Sequence, residues 1–392
     1  MRTAQKTPSD APANEPEIPE ARRTPAMRKM LFAALFMLLL SCAALADGRD
    51  IAVHTTVTKW GELPDRFDIE GQALPDGTAP GDFSIEGAAV SWDGQHSYPF
   101  TCAASDVAAT ARGWSLRLEG FPHRYGFVRA LDVRCAAAPE LGFSFEDIDR
   151  VETDVADDFE PYEDYEHRVT AQVFAPQAEG PLPVVLVMHG WGETDPLRSY
   201  RLATGWAESE NQQKRPCIVI APYINTSFYG SETARYRIYE GIVMLIDELV
   251  DQGRADPQRI YLVGNSFGGM ACFELACQYP DRFAAMLALC PALSYSPRAT
   301  VGLDGLTDMP ILIAHAVNDE TVPSSVSIDA YEKLRAAGNE RVALRLFSDE
   351  EMSAAGATLG YEQLYSFHHA ELVVMEDEYY AEWLFDVGIA RQ

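Results

Sequence analysis

Gly264-Asn265-Ser266-Phe267-Gly268-Gly269 is the stretch that most narrows what this chain can become. The apolar run 259–263 leads into it, and a helix-like run, 269–279, follows at once. Strand, Gly-x-Ser-x-Gly, helix is the layout of a nucleophile elbow. A serine on so sharp a turn needs neighbours with little or no side chain, because Cβ atoms there would clash. The turn lifts the hydroxyl above the sheet edge, and the helix that starts there offers unpaired N–H groups and a positive dipole end. The pentapeptide alone is weak evidence, since it arises by chance in about one chain of this length in ten. The strand before it and the helix after it carry the weight.

Composition excludes some classes. The net charge of −28 argues against a nucleic-acid partner, which needs clustered Lys and Arg. The seven cysteines include no C-x-x-C pair, and no Cys/His grouping has zinc-ligand spacing, so no metal site or cofactor is expected. Cys102 and Cys135 lie in the first globular region and could bridge, a pairing the sequence leaves open; Cys217, Cys272, Cys277 and Cys290 read as buried thiols.

Residues 1–46 read as a disordered start followed by a secretory signal. Met27-Arg28-Lys29 opens a basic region, 30–40 is apolar, and Ala44-Leu45-Ala46 is a small-residue cleavage site. The apolar run is shorter than the roughly 18 residues of a spanning helix, so no membrane span is expected in the mature chain. A lipoprotein anchor at Cys42 is the rival reading. The mature protein is therefore expected to be secreted, periplasmic or at the cell surface.

From 47 to 155 the apolar period becomes two, as in Trp114-Ser115-Leu116-Arg117-Leu118-Glu119, with turn clusters such as Pro75-Asp76-Gly77. This predicts a small antiparallel β-sandwich. Trp60, Trp92 and Trp114 are candidates for carbohydrate contact or for core. The acidic stretch 152–166 marks a junction. Beyond it, from 156 to 392, strands alternate with helices, which predicts a mostly parallel sheet flanked by helices.

A serine hydroxyl needs a base, and the base needs an orienting acid. The chain supplies them in order. Asp319 follows the predicted strand 311–315, with Glu320 as its nearest substitute, and His368 and His369 follow the last predicted strand. His189 stands in the loop after strand 182–188, a place for scaffolding. That loop, His189-Gly190-Trp191-Gly192-Glu193, supplies a second oxyanion donor. The N–H groups of Trp191 and Phe267 are the candidates, each worth roughly 3 kcal/mol in a transition state.

These pieces resemble the α/β-hydrolase superfamily. More narrowly, they resemble secreted bacterial esterases related to prolyl-oligopeptidase-like and polyhydroxybutyrate-depolymerase-like hydrolases, some of which carry an N-terminal immunoglobulin-like domain. The matching residues are Leu182-Pro183 to Glu193, Asp256-Pro257-Gln258-Arg259-Ile260-Tyr261 running into the elbow, Tyr279-Pro280-Asp281-Arg282-Phe283, and the Asp319 loop ending Val322-Pro323. A histidine about fifteen residues before Trp383-Leu384 selects His368 by the resemblance. Relatives place Gly before that histidine, where this chain has Phe367, so His369 stays open as the base.

Between Cys290 and Pro310 about twenty residues leave room for a small cap. Tyr223, Phe228 and Tyr295, with Tyr229 and Phe367, lie on loops at the same edge and are candidate cleft walls. An aromatic cleft with few charges suits a carboxylic ester with a short or aromatic acyl group, on a small molecule or a polymer. Two rivals stand beside this reading: a prolyl-oligopeptidase-like serine peptidase, and a hydrolase scaffold that binds without catalysis. The first lacks the residues for a propeller in 47–155, and the second is at odds with an intact Ser, Asp and His set.

Overall fold

The computed structural model describes residues 48–59, 61–90, 97–119, 127–357 and 367–389. The signal and lipoprotein readings, Cys42, Trp60 and Trp92 lie outside those residues. Among the described residues no helix is long and apolar enough to cross a membrane.

The described residues from 48 onward hold two eight-stranded sheets, the second flanked by helices. The first is ordered β7-β6-β3-β4-β5-β2-β1-β8. Its strands are β1 (Asp50–Thr58), β2 (Gly61–Glu70), β3 (Phe83–Val90), β4 (Ser97–Ala109), β5 (Gly113–Glu119), β6 (Phe127–Cys135), β7 (Phe143–Ser144) and β8 (Arg150–Asp154). Strand β4 belongs to two halves: Ser97 to Cys102 pair with β3, and Ala103 to Ala109 pair with β5, with a register shift between Ala104 and Asp106. The halves face each other across one core. Phe83 and Ile85 from one side meet Phe67, Trp114 and Leu116 from the other, with the Phe83 and Trp114 rings 5.6 Å apart. Trp114 is wholly buried, so it is core rather than a carbohydrate contact.

Two expectations for this region change. The sheet is mixed rather than antiparallel, because β1 pairs β8 in parallel. Cys102 and Cys135 are both free. They sit on opposite flanks of β3, Cys102 opposite Ile85 and Cys135 opposite Phe83. Two inter-strand spacings separate them by roughly 9–10 Å, beyond the reach of a disulfide.

The second sheet is ordered β16-β15-β14-β13-β11-β12-β10-β9. Its strands are β9 (Glu160–Asp164), β10 (Val169–Phe174), β11 (Leu182–Met188), β12 (Ile218–Tyr223), β13 (Ala255–Asn265), β14 (Ala285–Leu289), β15 (Ile311–Ala316) and β16 (Val342–Phe347). All neighbours from β12 to β16 are parallel; β10 and β9 are antiparallel at the edge. The acidic stretch thus holds strands as well as a junction. Strand β9 is exposed and carries Glu160, Glu163 and Asp164, charges that discourage edge-to-edge pairing.

Helices cover both faces, which explains the unbroken apolar runs of the central strands. In β11, Val184, Leu186 and Met188 join one core with the helices α1 (Glu232–Asp251), α2 (Phe267–Gln278) and α3 (Ser325–Ala336). Val185 and Val187 point to the other core, where Trp206, Tyr380, Leu384 and Phe385 pack. The last two helices are α4 (Glu371–Val374) and α5 (Glu378–Ile389). The chain leaves β11 for β12 on one side, then crosses back to β13 on the other. At such a reversal the two outgoing loops part and open a crevice at the strands' C-terminal ends. Those loops begin at His189 and Ser266.

Candidate active site

The elbow has the strain that the sequence implies. Ser266 sits at φ 56° and ψ −116°, a region a non-glycine residue occupies at a cost of about 1–3 kcal/mol. Its N–H donates to Leu289 O at 2.9 Å, and its carbonyl accepts from Met270 and Ala292, each at 3.0 Å. The flanking glycines are required by close approach. A Cβ on Gly268 would stand 1.9 Å from Met188 O, and one on Gly264 would stand 2.4 Å from Gly268 O.

Ser266, His368 and Asp319 meet, although 49 and 102 residues separate His368 from its two partners. His368 Nε2 is 2.7 Å from Ser266 Oγ, and its Nδ1 is 2.7 Å from Asp319 Oδ2. Since Nδ1–H donates to the carboxylate, Nε2 is left bare toward the serine hydroxyl. That is the tautomer a general base needs. All three residues are buried.

Asp319 is held by four donors. Oδ1 accepts the N–H groups of Thr321 and Val322 at 2.8 Å each, and Oδ2 accepts from His368 and from His315 Nε2 at 3.0 Å. Burial works against its charge, but the His315 and His368 hydrogen bonds outweigh it and hold the carboxyl well below its ordinary range. His315 is itself fixed by Ser327 Oγ at 2.7 Å. It stands inside predicted strand 311–315, where nothing in the sequence distinguishes it from a core residue.

His369 lies elsewhere. Its Nδ1 is 2.6 Å from Glu371 Oε1. Burial opposes its charge, but the Glu371 carboxylate prevails and raises its pKa. Glu320 does not replace Asp319; its Oε2 accepts the Phe367 N–H at 3.3 Å, at the start of the histidine segment. Cys290 is more than a buried thiol: its Sγ is 2.9 Å from both Asn265 Oδ1 and His368 O, between the serine and histidine segments. The others fit the apolar reading, and burial pushes Cys217 and Cys277 up to about 12.

The loop after β11 runs beside the elbow. An added Cβ on Gly190 would be 3.6 Å from Ser266 Cβ. His189 anchors the loop as scaffolding: Nδ1 bonds Gly190 O at 2.7 Å, and Nε2 accepts the Ile224 N–H at 2.8 Å. Burial lowers its pKa to about 4, so it is neutral at physiological pH. Phe267 opens α2, so its N–H has no intrahelical carbonyl to bind. Trp191 N–H belongs to the facing loop.

Three rings line up beside the serine. Trp191 and Phe267 have centroids 4.8 Å apart, and Phe267 and Tyr295 5.1 Å. Trp191 is 49% exposed and Tyr295 63%, so the row faces solvent. Tyr223 stacks on His189 at 5.7 Å, behind the loop. Phe228 packs on the core with Arg168 over its ring, and Phe367 packs on the other core. The cap segment is short, with one helix at Pro297–Gly302, and buries Leu293, Ala299 and Leu303. Cys290, Asp319 and His368 form the one group among the described residues with metal-ligand proximity, and its histidine is already engaged with Ser266 through Nε2 and with Asp319 through Nδ1.

Sheet order, elbow and loop placement are those of the α/β-hydrolase fold. The phospholipase/carboxylesterase family matches residues 225–363, less than half of the chain. A thermostable esterase of known crystal structure superposes with a TM-score of 0.67 at 20% identity, covering 86% of this chain and 99% of its own. That share exceeds what residues 160–392 alone can supply, so the likeness in fold extends into the first sheet. Est1E from Butyrivibrio proteoclasticus is similar at a TM-score of 0.39 and 15% identity, over 49% of this chain and 88% of its own. A protein named as an esterase, NocK of Nocardia uniformis subsp. tsuyamanensis, is 35% identical over 79 residues. That stretch is 20% of this chain and only 22% of the length of NocK.

Proposed function

We propose that the protein is a serine hydrolase that cleaves carboxylic esters through an acyl-enzyme. The observation that carries this reading is the His368 ring, 2.7 Å from Ser266 Oγ on one side and 2.7 Å from Asp319 on the other. Ser266 Oγ attacks the ester carbonyl while its proton passes to His368 Nε2. The carbonyl electrons move to an oxyanion that the N–H groups of Phe267 and Trp191 receive. His368 then returns the proton to the departing alkoxide, leaving alcohol and an acyl-serine. Water then attacks the acyl carbon while one of its protons passes to His368; the acyl–oxygen bond breaks, His368 returns the proton to Ser266 Oγ, and the acid leaves. Asp319, charged throughout, holds the ring and offsets the imidazolium.

The open row of Trp191, Phe267 and Tyr295, with rings tilted by 51° and 38° to one another, favours short or aromatic acyl groups, since it offers ring faces and edges to a small group but does not enclose a long chain. The similarity to esterases agrees in kind. Secretion after cleavage near residue 46 belongs to the same reading and rests on the basic, apolar and small-residue pattern of 27–46, and an immunoglobulin-like character for the first sheet rests on the sequence resemblance.

The test is hydrolysis of p-nitrophenyl acetate, butyrate, benzoate and laurate by the chain lacking residues 1–46. Turnover is expected to fall from butyrate to laurate, with a burst of nitrophenol matching the enzyme concentration. A folded protein that hydrolyses none of the four would overturn the proposal. Tyr295→Ala is expected to raise KM for the benzoate by roughly 2- to 10-fold and to leave that for the acetate unchanged. Equal effects on both would remove Tyr295 from the acyl wall.

A further inference from the structure

Behind the oxyanion loop lies a buried acid that the mechanism above does not use. Glu193 Oε1 accepts two hydrogen bonds, from Gly190 N–H at 2.6 Å and from Tyr200 OH at 2.8 Å. Oε2 is buried with no hydrogen-bond partner among the described residues. Both hydrogen bonds come from neutral donors, which offset only part of the cost of burying a charge, so the site favours the neutral acid. Gly190 is the residue that packs against Ser266, and its carbonyl carbon carries the Trp191 N–H. Glu193 therefore grips the peptide chain one residue from the proposed donor.

We propose that Glu193 is the positioning residue of the oxyanion loop: as a neutral acid it holds the His189–Gly190 peptide, one residue before the Trp191 N–H, and its ionisation sets a negative charge close to the developing oxyanion. The inference rests on the esterase reading of the same site. Several groups face this carboxyl group. Tyr200 stands at the end of its own loop, and Tyr229 precedes α1. Glu371 belongs to α4 and His369 to the turn before it. Burial, with Glu371 adding to it, pushes Glu193 up to about 8, against the Tyr200 and Gly190 hydrogen bonds and the His369 ring. The proton is thus held below about pH 8 and lost above it, so turnover is expected to fall as pH rises through that value.

The experiment follows kcat and KM for p-nitrophenyl butyrate from about pH 6 to about pH 10 in wild type, Glu193→Gln, Glu193→Ala and Ser266→Ala. Glutamine keeps the acceptor oxygen and cannot ionise. Glu193→Gln is expected to match wild type at neutral pH and to lose the alkaline decline. Glu193→Ala is expected to lower kcat by roughly 10- to 100-fold with KM within about twofold, and to weaken a boronic acid inhibitor in proportion. Wild-type kcat in Glu193→Ala, or an unaltered alkaline decline in Glu193→Gln, would overturn the inference. If the alanine variant fails to fold, the glutamine profile decides alone. Ester hydrolysis persisting in Ser266→Ala would instead sink the underlying reading of the site.

Discussion

Ser266→Ala is expected to lower kcat for p-nitrophenyl butyrate by about 10⁴-fold or more, with KM little changed. His368→Ala should fall to the same floor, and the double variant no further. Members of one proton-transfer unit fail together: a serine with no base and a base with no serine are equally inert. Asp319→Asn is expected to lose roughly 10⁴-fold, because the amide NH₂ no longer accepts from His368 Nδ1–H and turns the ring to the wrong tautomer. His369→Ala supplies the contrast. Its ring is turned to Glu371, and it is expected to keep kcat within about tenfold of wild type. A His369→Ala variant as dead as His368→Ala would refute the assignment of the base. Kinetics with circular dichroism on each variant separates chemistry from unfolding.

Glu274→Ala is expected to lower stability by about 3–5 kcal/mol, the largest effect of any single truncation proposed for this chain. Glu274 is wholly buried and accepts four hydrogen bonds: Arg235 Nη2 at 2.7 Å, Arg235 Nε at 2.9 Å, Tyr239 OH at 2.8 Å and Ser296 Oγ at 2.6 Å. Arg235 also donates to Tyr229 O, and Tyr229 OH donates to His189 O at 2.6 Å. The pair thus ties α1, α2 and the cap segment beneath the oxyanion loop. Removing the carboxylate leaves the guanidinium uncompensated in a dry interior, which costs far more than the intact pair contributes. Chemical denaturation gives the measure. Arg235→Met with Glu274→Leu should recover much of the loss, because no charge is then left buried. A Glu274→Ala protein with the wild-type denaturation midpoint would contradict this account.

Much of the second sheet was legible because its signals are local. Continuous apolar runs such as 182–188 mark strands covered on both faces, and α2 lies where the helix-like run 269–279 places it. The chain order of Ser266, Asp319 and the histidine pair, with a glycine loop upstream, named the residues that the fold brings together. The first sheet was legible as alternating strands but not in its pairing. The parallel β1–β8 partnership joins residues almost a hundred positions apart, and no local pattern encodes it. Strand β9 was hidden in the acidic junction, since an edge strand needs no apolar face on its open side.

The sequence by itself determined which atoms are available for chemistry and in what order they arrive at one sheet edge. Strand periodicity and two glycine-rich turns suffice for that, being properties of a few neighbouring residues. Only the tertiary structure set His368 rather than His369 between Asp319 and Ser266, because adjacent side chains on a loop point to different partners, and the His369 ring turns to Glu371. It also decided that His315 supports Asp319, that the Glu193 side chain folds back onto the Gly190 N–H, and that Cys102 and Cys135 stay apart. Each of these depends on a side chain's burial and on a partner that packing supplies. Hydrogen bonds in a dry interior are set by three-dimensional neighbours, and sequence spacing carries no record of them.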